Sequence, residues 1–369
     1  MIELVRCAVN GEKPGKALID RLELPELFQV CQAHILTACC AYALEDAGIR
    51  DAAFTEAKEK AIRKNIIMDA ERAKILKRLE QEQIWHMPLK GAVMKDWYPR
   101  LGMRQMSDND ILCDPDARTR IRTVMEELGF TCASFESGND DAYHKPPVSN
   151  FEMHNELFTP VHADHLHAYY QNVKARLCKD PDNAAGFHFR DEDFYIYVLA
   201  HEYKHYCLGG TGVRSLLDTY IMLRRFGDRL DWDYIEQELE KLGMTAYARK
   251  NRTLAEKVFS GGALTPAEAQ ELDYYITSGV YGSVAHDVEN RIRNAGHSRL
   301  KYLFRRLFPS MRQIKLYDPF FYRHKWLIPV LWIWRPIRAL LHRRKQVFGE
   351  LREVVKYQQE RDASSGGDQ

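Results

Sequence analysis

The sequence predicts an α+β protein, and three observations carry that prediction. Apolar residues recur at helical spacing over residues 24–43, 52–83 and 191–226. Between these stretches lie short apolar or alternating runs of strand length at 84–89, 111–113, 130–132 and 150–158. Helix-length spacers separate the first three runs, punctuated by Gly91, Asp114-Pro115 and Gly129. A chain of 369 residues is long enough for two or three packed units, and 45% hydrophobic with 28% charged residues is an ordinary globular balance. A net charge of +1 points to no nucleic-acid or membrane partner on global charge alone.

Residues 1–80 read as an N-terminal helical region. Leu24-Pro25-Glu26-Leu27-Phe28 opens a helical pattern that runs through Ile35, Leu36 and Ala43 and stops at Gly48. In the helix over 52–83, Glu56, Lys60, Arg63, Glu71, Lys74 and Arg78 are spaced as a solvated face. Ile62, Ile66, Ile67, Ile75 and Leu79 supply its buried stripe. A core region over 81–185 follows. Its first strand, 84–89, turns at Lys90-Gly91 into a helix over 91–98, an arrangement that aims backbone N–H groups and a helix dipole at one anion-sized spot. Pro99 ends that helix. Asp114-Pro115-Asp116 caps a helix over 117–128, and Gly129 stops it before the next strand. Residues 134–149, broken by Gly138, Pro146 and Pro147, read as a loop or hairpin bend. The alternation over 150–158 puts Glu152, His154 and Glu156 on one face of a strand. His162, His165 and His167 cluster around Asp164 without a zinc spacing and read as a polar connector or helix start. A helical region over 186–295 opens at Asp191-Glu192-Asp193, and Thr265-Pro266-Ala267-Glu268 is a capping box within it.

The chemistry concentrates at 88–113. Asp108-Asn109-Asp110 leads straight into the apolar run Ile111-Leu112-Cys113. Side chains two apart on a strand share a face, so Asp108 and Asp110 stand side by side and repel unless a cation lies between them. Mg²⁺, a hard ion that takes carboxylate and phosphate oxygens, suits that position. Asp-x-Asp is also turn-forming material, and a solvated loop is the bland alternative.

In this order the residues resemble a bacterial family of largely uncharacterised nucleotidyltransferases, within the superfamily that shares the polymerase beta fold. The resemblance rests on Leu89-Lys90-Gly91, on Arg104 four residues before Asp108-x-Asp110, and on Glu152-x-His154. It is completed by a helix with His201 followed by Arg214-x-Leu216-x-Asp218. It covers residues 60–345 and implies a small mixed sheet with flanking helices. It implies Asp108, Asp110 and Glu152 as catalytic metal ligands for Mg²⁺, with Lys90, Gly91, Arg104 and Ser107 as nucleotide contacts. His154, His201, His205 and Arg214 would line an acceptor pocket on the 186–295 side. The implied reaction moves a nucleoside monophosphate, AMP foremost, from a nucleoside triphosphate to an unidentified small-molecule or protein hydroxyl. The sequence departs from the pattern at Asn109, where an apolar residue is usual, and at Ala92, where better-known relatives carry Ser after Gly.

Two other readings stay open. His201-Glu202-x-x-His205 matches the helical zinc-protease signature, with Glu202 as base, but no third histidine follows at the expected distance. A non-catalytic binding module that keeps the fold is the other. Arg104 either grips phosphate or pairs with an acid to hold its loop. Arg214 and Asp218 read as a structural ion pair.

Residues 296–358 form a basic, aromatic segment. From Arg299 to Lys345 it carries thirteen Lys and Arg residues against one acid, Asp318, with Trp326, Trp332 and Trp334 interleaved. Its apolar run is too short to span a bilayer. It either docks on the core or makes peripheral contact with an anionic membrane surface or nucleic acid through 297–349. Residues 359–369 read as a disordered tail. The eight cysteines form no Cys-x-x-Cys pair, and residues 1–6 lack a signal peptide's apolar core, so reduced thiols and a cytoplasmic location are expected.

Overall fold

A computed structural model describes residues 1–136, 138–160, 164–296, 298–342, 344, 348–355 and 357. His162, Arg343, Lys345 and the tail at 359–369 lie outside the described residues. The chain forms two compact units, one of residues 1–203 and 213–276 and one of residues 204–212 and 277–369.

In the first unit, α1 (Ile2–Asn10), α2 (Lys16–Ile19), α3 (Leu24–His34) and α4 (Thr37–Asp46) precede the long α5 (Ala52–Gln81). Asp51 starts α5 by accepting hydrogen bonds from the backbone N–H groups of Ala53 and Phe54. The buried stripe of α5 runs through Phe54, Ala61, Met68 and Ile75, seven residues apart, and Ile66, expected within it, is exposed. Glu71, expected on the solvated face, is buried instead. Lys74 and Lys145 reach its two oxygens at 2.8 and 2.7 Å, which offsets the desolvation of the charge.

The five strands β1 (His86–Pro88), β2 (Asn109–Cys113), β3 (Thr131–Ser134), β4 (Asp140–Lys145) and β5 (Ser149–His154) make one sheet in the order β1-β2-β5-β4-β3. Only β2 and β5 run parallel; the other neighbours are antiparallel. This is the expected small mixed sheet with flanking helices. β4 corrects the reading of 134–149 as a loop or bend. Its Asp141 looks like loop material but is 1% exposed, because Arg118 grips both carboxylate oxygens at 2.6 and 3.0 Å. Tyr143, buried two positions on, supplies the apolar side of the strand.

The pleat sorts the sheet into two faces. Ile111, Cys113, Phe151 and Met153 pack with Ile75 and Leu79 of α5 and with Ile121, Val124 and Met125 of α7 (Arg118–Glu127). Asp110 and Leu112 of β2, with Glu152 and His154 of β5, take the opposite face. There Leu112 joins Met87, Leu89 and the Met94 side chain of α6 (Gly91–Met94) in the larger core.

The first unit continues with α8 (Asp164–Tyr170), the short pair β6 (Cys178–Lys179) and β7 (Phe187–His188), and α9 (Asp191–Tyr206). It then passes through α10 (Val213–Phe226), α11 (Trp232–Lys241), α12 (Thr245–Ser260) and α13 (Pro266–Ser278). The helical stretch at 191–226 is thus two helices, with Gly210 at φ 92° in the break. Tyr195, Tyr197, Val198 and Leu199 of α9 are buried in the larger core. The second unit holds α14 (Val284–Asn294), α15 (Arg299–Leu307), α16 (Met311–Tyr317), α17 (Pro319–Arg323) and α18 (Ile328–His342). Val288, Ile292, Ala295, Tyr302 and Val354 form its small core. All eight cysteines are free thiols. No helix among the described residues is long and apolar enough to cross a membrane.

Candidate functional site

Register brings the acids together. In the parallel pair of β2 and β5, Asp110 stands opposite Glu152 and Leu112 opposite His154. Oxygens of Asp110 and Glu152 and a ring nitrogen of His154 all lie within 4.8 Å of one another. Among the described residues this is the group of three that could hold a metal ion; His201, Glu202 and His205 form no such group. Asp108 stands just before β2 and outside that trio. It is still close enough that its charge and that of Asp110 act on each other.

Each side chain has a cause for its place. Asn109, the polar residue between the acids, is completely buried on the helix-facing side, where Arg72 of α5 donates to its Oδ1 at 2.9 Å. His154 is wedged between two partners. Asn139 donates to its Nδ1 at 3.3 Å, which leaves the Nε2–H to donate to Asp110 Oδ1 at 3.2 Å. The imidazole thereby orients Asp110, as hydrogen-bond donors do for ligating carboxylates around metal sites. Glu156, expected on the same face, lies beyond β5 and pairs with His167 at 3.0 Å.

Lys90 is held in an uncommon conformation for a non-glycine residue, φ 42° and ψ −114°. Its ammonium lies 2.8 Å from Asp110 Oδ2 and 3.2 Å from His201 Nε2. Burial opposes both charges, but Lys90 and His154 hold Asp110 well below the usual carboxylate range, and Asp110 holds Lys90 above the usual lysine range. The helix over 91–98 proves to be one α turn, α6, followed by a 3₁₀ turn at Lys95–Trp97. Its dipole is correspondingly small, so any anion drawn here answers mainly to the Lys90 charge. Lys64 donates to the Ser107 carbonyl at 2.8 Å, fixing the loop ahead of the acids.

Burial, then Asp110 and Asp108, push Glu152 up to about 8. Burial and Asp110 also raise Asp108. Without a cation, the folded protein therefore binds the Glu152 proton more tightly than the unfolded chain does. This group's contribution to stability falls as pH rises from its unfolded value, near 4.5, through about 8. A divalent cation needs the ionised carboxylate, so its binding below pH 8 is expected to release a proton and to strengthen as pH rises towards that value. Calorimetry in buffers of different ionisation enthalpy measures this; a heat independent of buffer would move the cation away from Glu152.

Arg104 makes a different contact from a phosphate grip. Its Nε and Nη2 donate to the two oxygens of Asp218 on α10, both at 2.8 Å, and Tyr98 donates to the same carboxylate at 2.6 Å. Asp218 thus pairs with Arg104, and Arg214, expected as its partner, donates to the Gln105 carbonyl at 3.4 Å. Glu202 lies near this cluster, buried, with Oε2 lacking a hydrogen-bond partner; burial and then Asp218 hold its carboxyl far above the usual range. A metalloprotease base must carry the ionised form that this setting disfavours. His205, the last residue of the same signature, belongs to the second unit. Gly91 lies against the Arg104 side chain: a Cβ there would stand 2.1 Å from Arg104 Nη1. Gly91→Ala is expected to displace the guanidinium and cost about 1–3 kcal/mol, read by denaturant unfolding.

Sequence reasoning found Asp110, Glu152 and His154 through the triplet and the alternating strand. It missed Asn139 as the group that fixes the His154 tautomer, because a lone Asn in a polar loop carries no signal. No curated protein and no solved structure matches the chain. Residues 20–260 match the family model described as uncharacterised nucleotidyltransferase. That stretch contains the whole sheet, all three acids and the Arg104–Asp218 pair, and on this match the chain belongs to that family and is a transferase enzyme.

Proposed function

We propose that the protein transfers a nucleoside monophosphate, with AMP the first candidate, from a nucleoside triphosphate to an acceptor hydroxyl in the presence of Mg²⁺. One observation carries this reading: Asp110 and Glu152 face each other across the parallel strand pair, and their oxygens lie in one group fit for a cation. Asp110, Glu152 and the neighbouring Asp108 offer hard oxygen donors, the set Mg²⁺ takes. The Nε2–H of His154 is spent on Asp110, so the ring is read as an orienting group. When bound, the ion would neutralise phosphate charge and lower the pKa of the attacking hydroxyl.

The chain's own residues supply the rest. Lys90 offers the charge that holds the leaving phosphates, and Gly91 and Ser107 frame that approach. Arg104 works by fixing the loop that carries Asp108, since its fork is committed to Asp218. His201, next to Lys90, and Arg214 are read as the acceptor side. The acceptor hydroxyl gives its proton to solvent as its oxygen bonds to the α-phosphorus, the bond from that phosphorus to the bridging oxygen breaks, and pyrophosphate leaves. Incubation with nucleoside triphosphates labelled at the α- or the γ-phosphorus tests this. Stable product should retain the α label alone. Transfer of the γ label would make the enzyme a kinase, and binding without transfer would make it a binding module.

A further inference from the structure

The second unit carries a feature that nucleotidyl transfer does not use. Its α14, α15, α16 and α18 segments border an open pocket of about 430 Å³ lined by Arg291, Arg305, Arg306, Arg335, Ser310 and Gln313, among others. No carboxylate is among the lining residues. Glu350 holds Arg306 at 2.9 Å and Asp287 holds Arg291 at 2.8 Å, whereas Arg335 and Arg338 share Asp318 at 3.9 Å each. Burial lowers the pKa of Arg335; Asp318 works against that, and the neighbouring charges of Arg306 and Arg338 add to it. Ser310 and Gln313 close a reciprocal capping box, so the wall they form is fixed.

The pocket's surroundings are apolar and exposed. Phe308, which lines it, stacks with Phe304 at 4.6 Å and with Trp332 at 5.0 Å between ring centres. Phe304 is 62% exposed, Leu300 80%, Trp326 77% and Ile333 66%. Among the described residues, all but five of the exposed large hydrophobic side chains lie in the second unit. A concentration of exposed apolar groups beside an excess of arginine suits a surface that is itself anionic and apolar in layers.

We propose that the second unit docks on an anionic membrane surface and that the four-arginine pocket takes the phosphate of a lipid headgroup. Arginine forks match phosphate oxygens, and the flanking Phe304, Phe308 and Trp332 enter the acyl boundary beside the headgroup. Charge complementarity selects this occupant: between Arg299 and Lys345 the chain holds one acid against thirteen bases. The proposal is independent of the transfer reaction.

Flotation of the full chain with vesicles of phosphatidylcholine, alone or mixed with phosphatidic acid, tests it. Binding is expected only to the mixed vesicles and should weaken with added salt. Arg305→Gln/Arg335→Gln should lower the bound fraction at least tenfold while leaving nucleotide binding and the unfolding midpoint unchanged. Trp326→Ala/Ile333→Ala should weaken binding by a different route, without changing its salt dependence. Equal binding to neutral vesicles, or none to either, would overturn the proposal. So would titration with inorganic phosphate that saturates the pocket while vesicles stay unbound, which would make it a site for a free anion. Self-association without lipid that Trp326→Ala/Ile333→Ala abolishes would make the apolar face a contact between copies of this chain.

Discussion

Asp110→Asn is expected to abolish metal-dependent nucleotide binding and to lower transfer by at least about 10³-fold, roughly 4 kcal/mol of lost transition-state stabilisation. The substitution removes a carboxylate that faces Glu152 across β2 and β5. It also strands Lys90, whose ammonium lies 2.8 Å away, with a side chain only 17% exposed. Removing one partner of such a pair costs about 3–5 kcal/mol when the other charge stays buried. Stability and chemistry therefore fall together in the single variant, and the two must be separated. Lys90→Met/Asp110→Asn should recover most of the stability, because no charge is left without its partner, and none of the activity. Denaturant unfolding and transfer assays on the four proteins of this cycle check the separation. A double variant that regained activity would remove Asp110 from the chemistry.

Asp218→Ala should be the most destabilising change remote from the acids, by about 3–5 kcal/mol. It deletes the acceptor for the Nε and Nη2 donors of Arg104 and for Tyr98, and leaves Arg104 and Arg214 next to each other without that carboxylate. Denaturant unfolding at neutral pH reads the loss. Arg104→Met/Asp218→Leu should restore most of it, since an apolar pair of similar volume avoids the desolvation that the ions incur. A small loss in Asp218→Ala would mean that the cluster is hydrated and that Arg104 is available to phosphate.

The sequence made the strand-borne chemistry legible. Asp110 leads into the apolar run Ile111-Leu112-Cys113 of its own strand and Glu152 alternates with Phe151 and Met153, so their faces followed from a period of two. The parallel register that sets Asp110 against Glu152 was not legible, since nothing local to either strand specifies its partner. Buried ion pairs hid the rest. Asp141 reads as loop until Arg118 is known to grip it, and Glu71 reads as surface until Lys145 is known to reach it. Arg104 and Asp218 are 114 residues apart, and the choice between phosphate and a buried acid turned on that tertiary contact. Local pattern also placed a full helix after Lys90, where Lys95 instead turns inward to Asp69 at 2.8 Å and the chain tightens to 3₁₀.

We propose that Asp108, Asp110 and Glu152 hold a divalent cation with a nucleoside triphosphate. Calorimetric titration of the full chain with ATP, GTP, CTP and UTP, with Mg²⁺ and with chelator, tests it most directly, on the wild type and on Asp108→Asn/Asp110→Asn. Saturable binding of at least one nucleotide is expected, absent with chelator and absent in the variant. Binding that survives both treatments, or no binding of any of the four by folded wild-type protein, would contradict it.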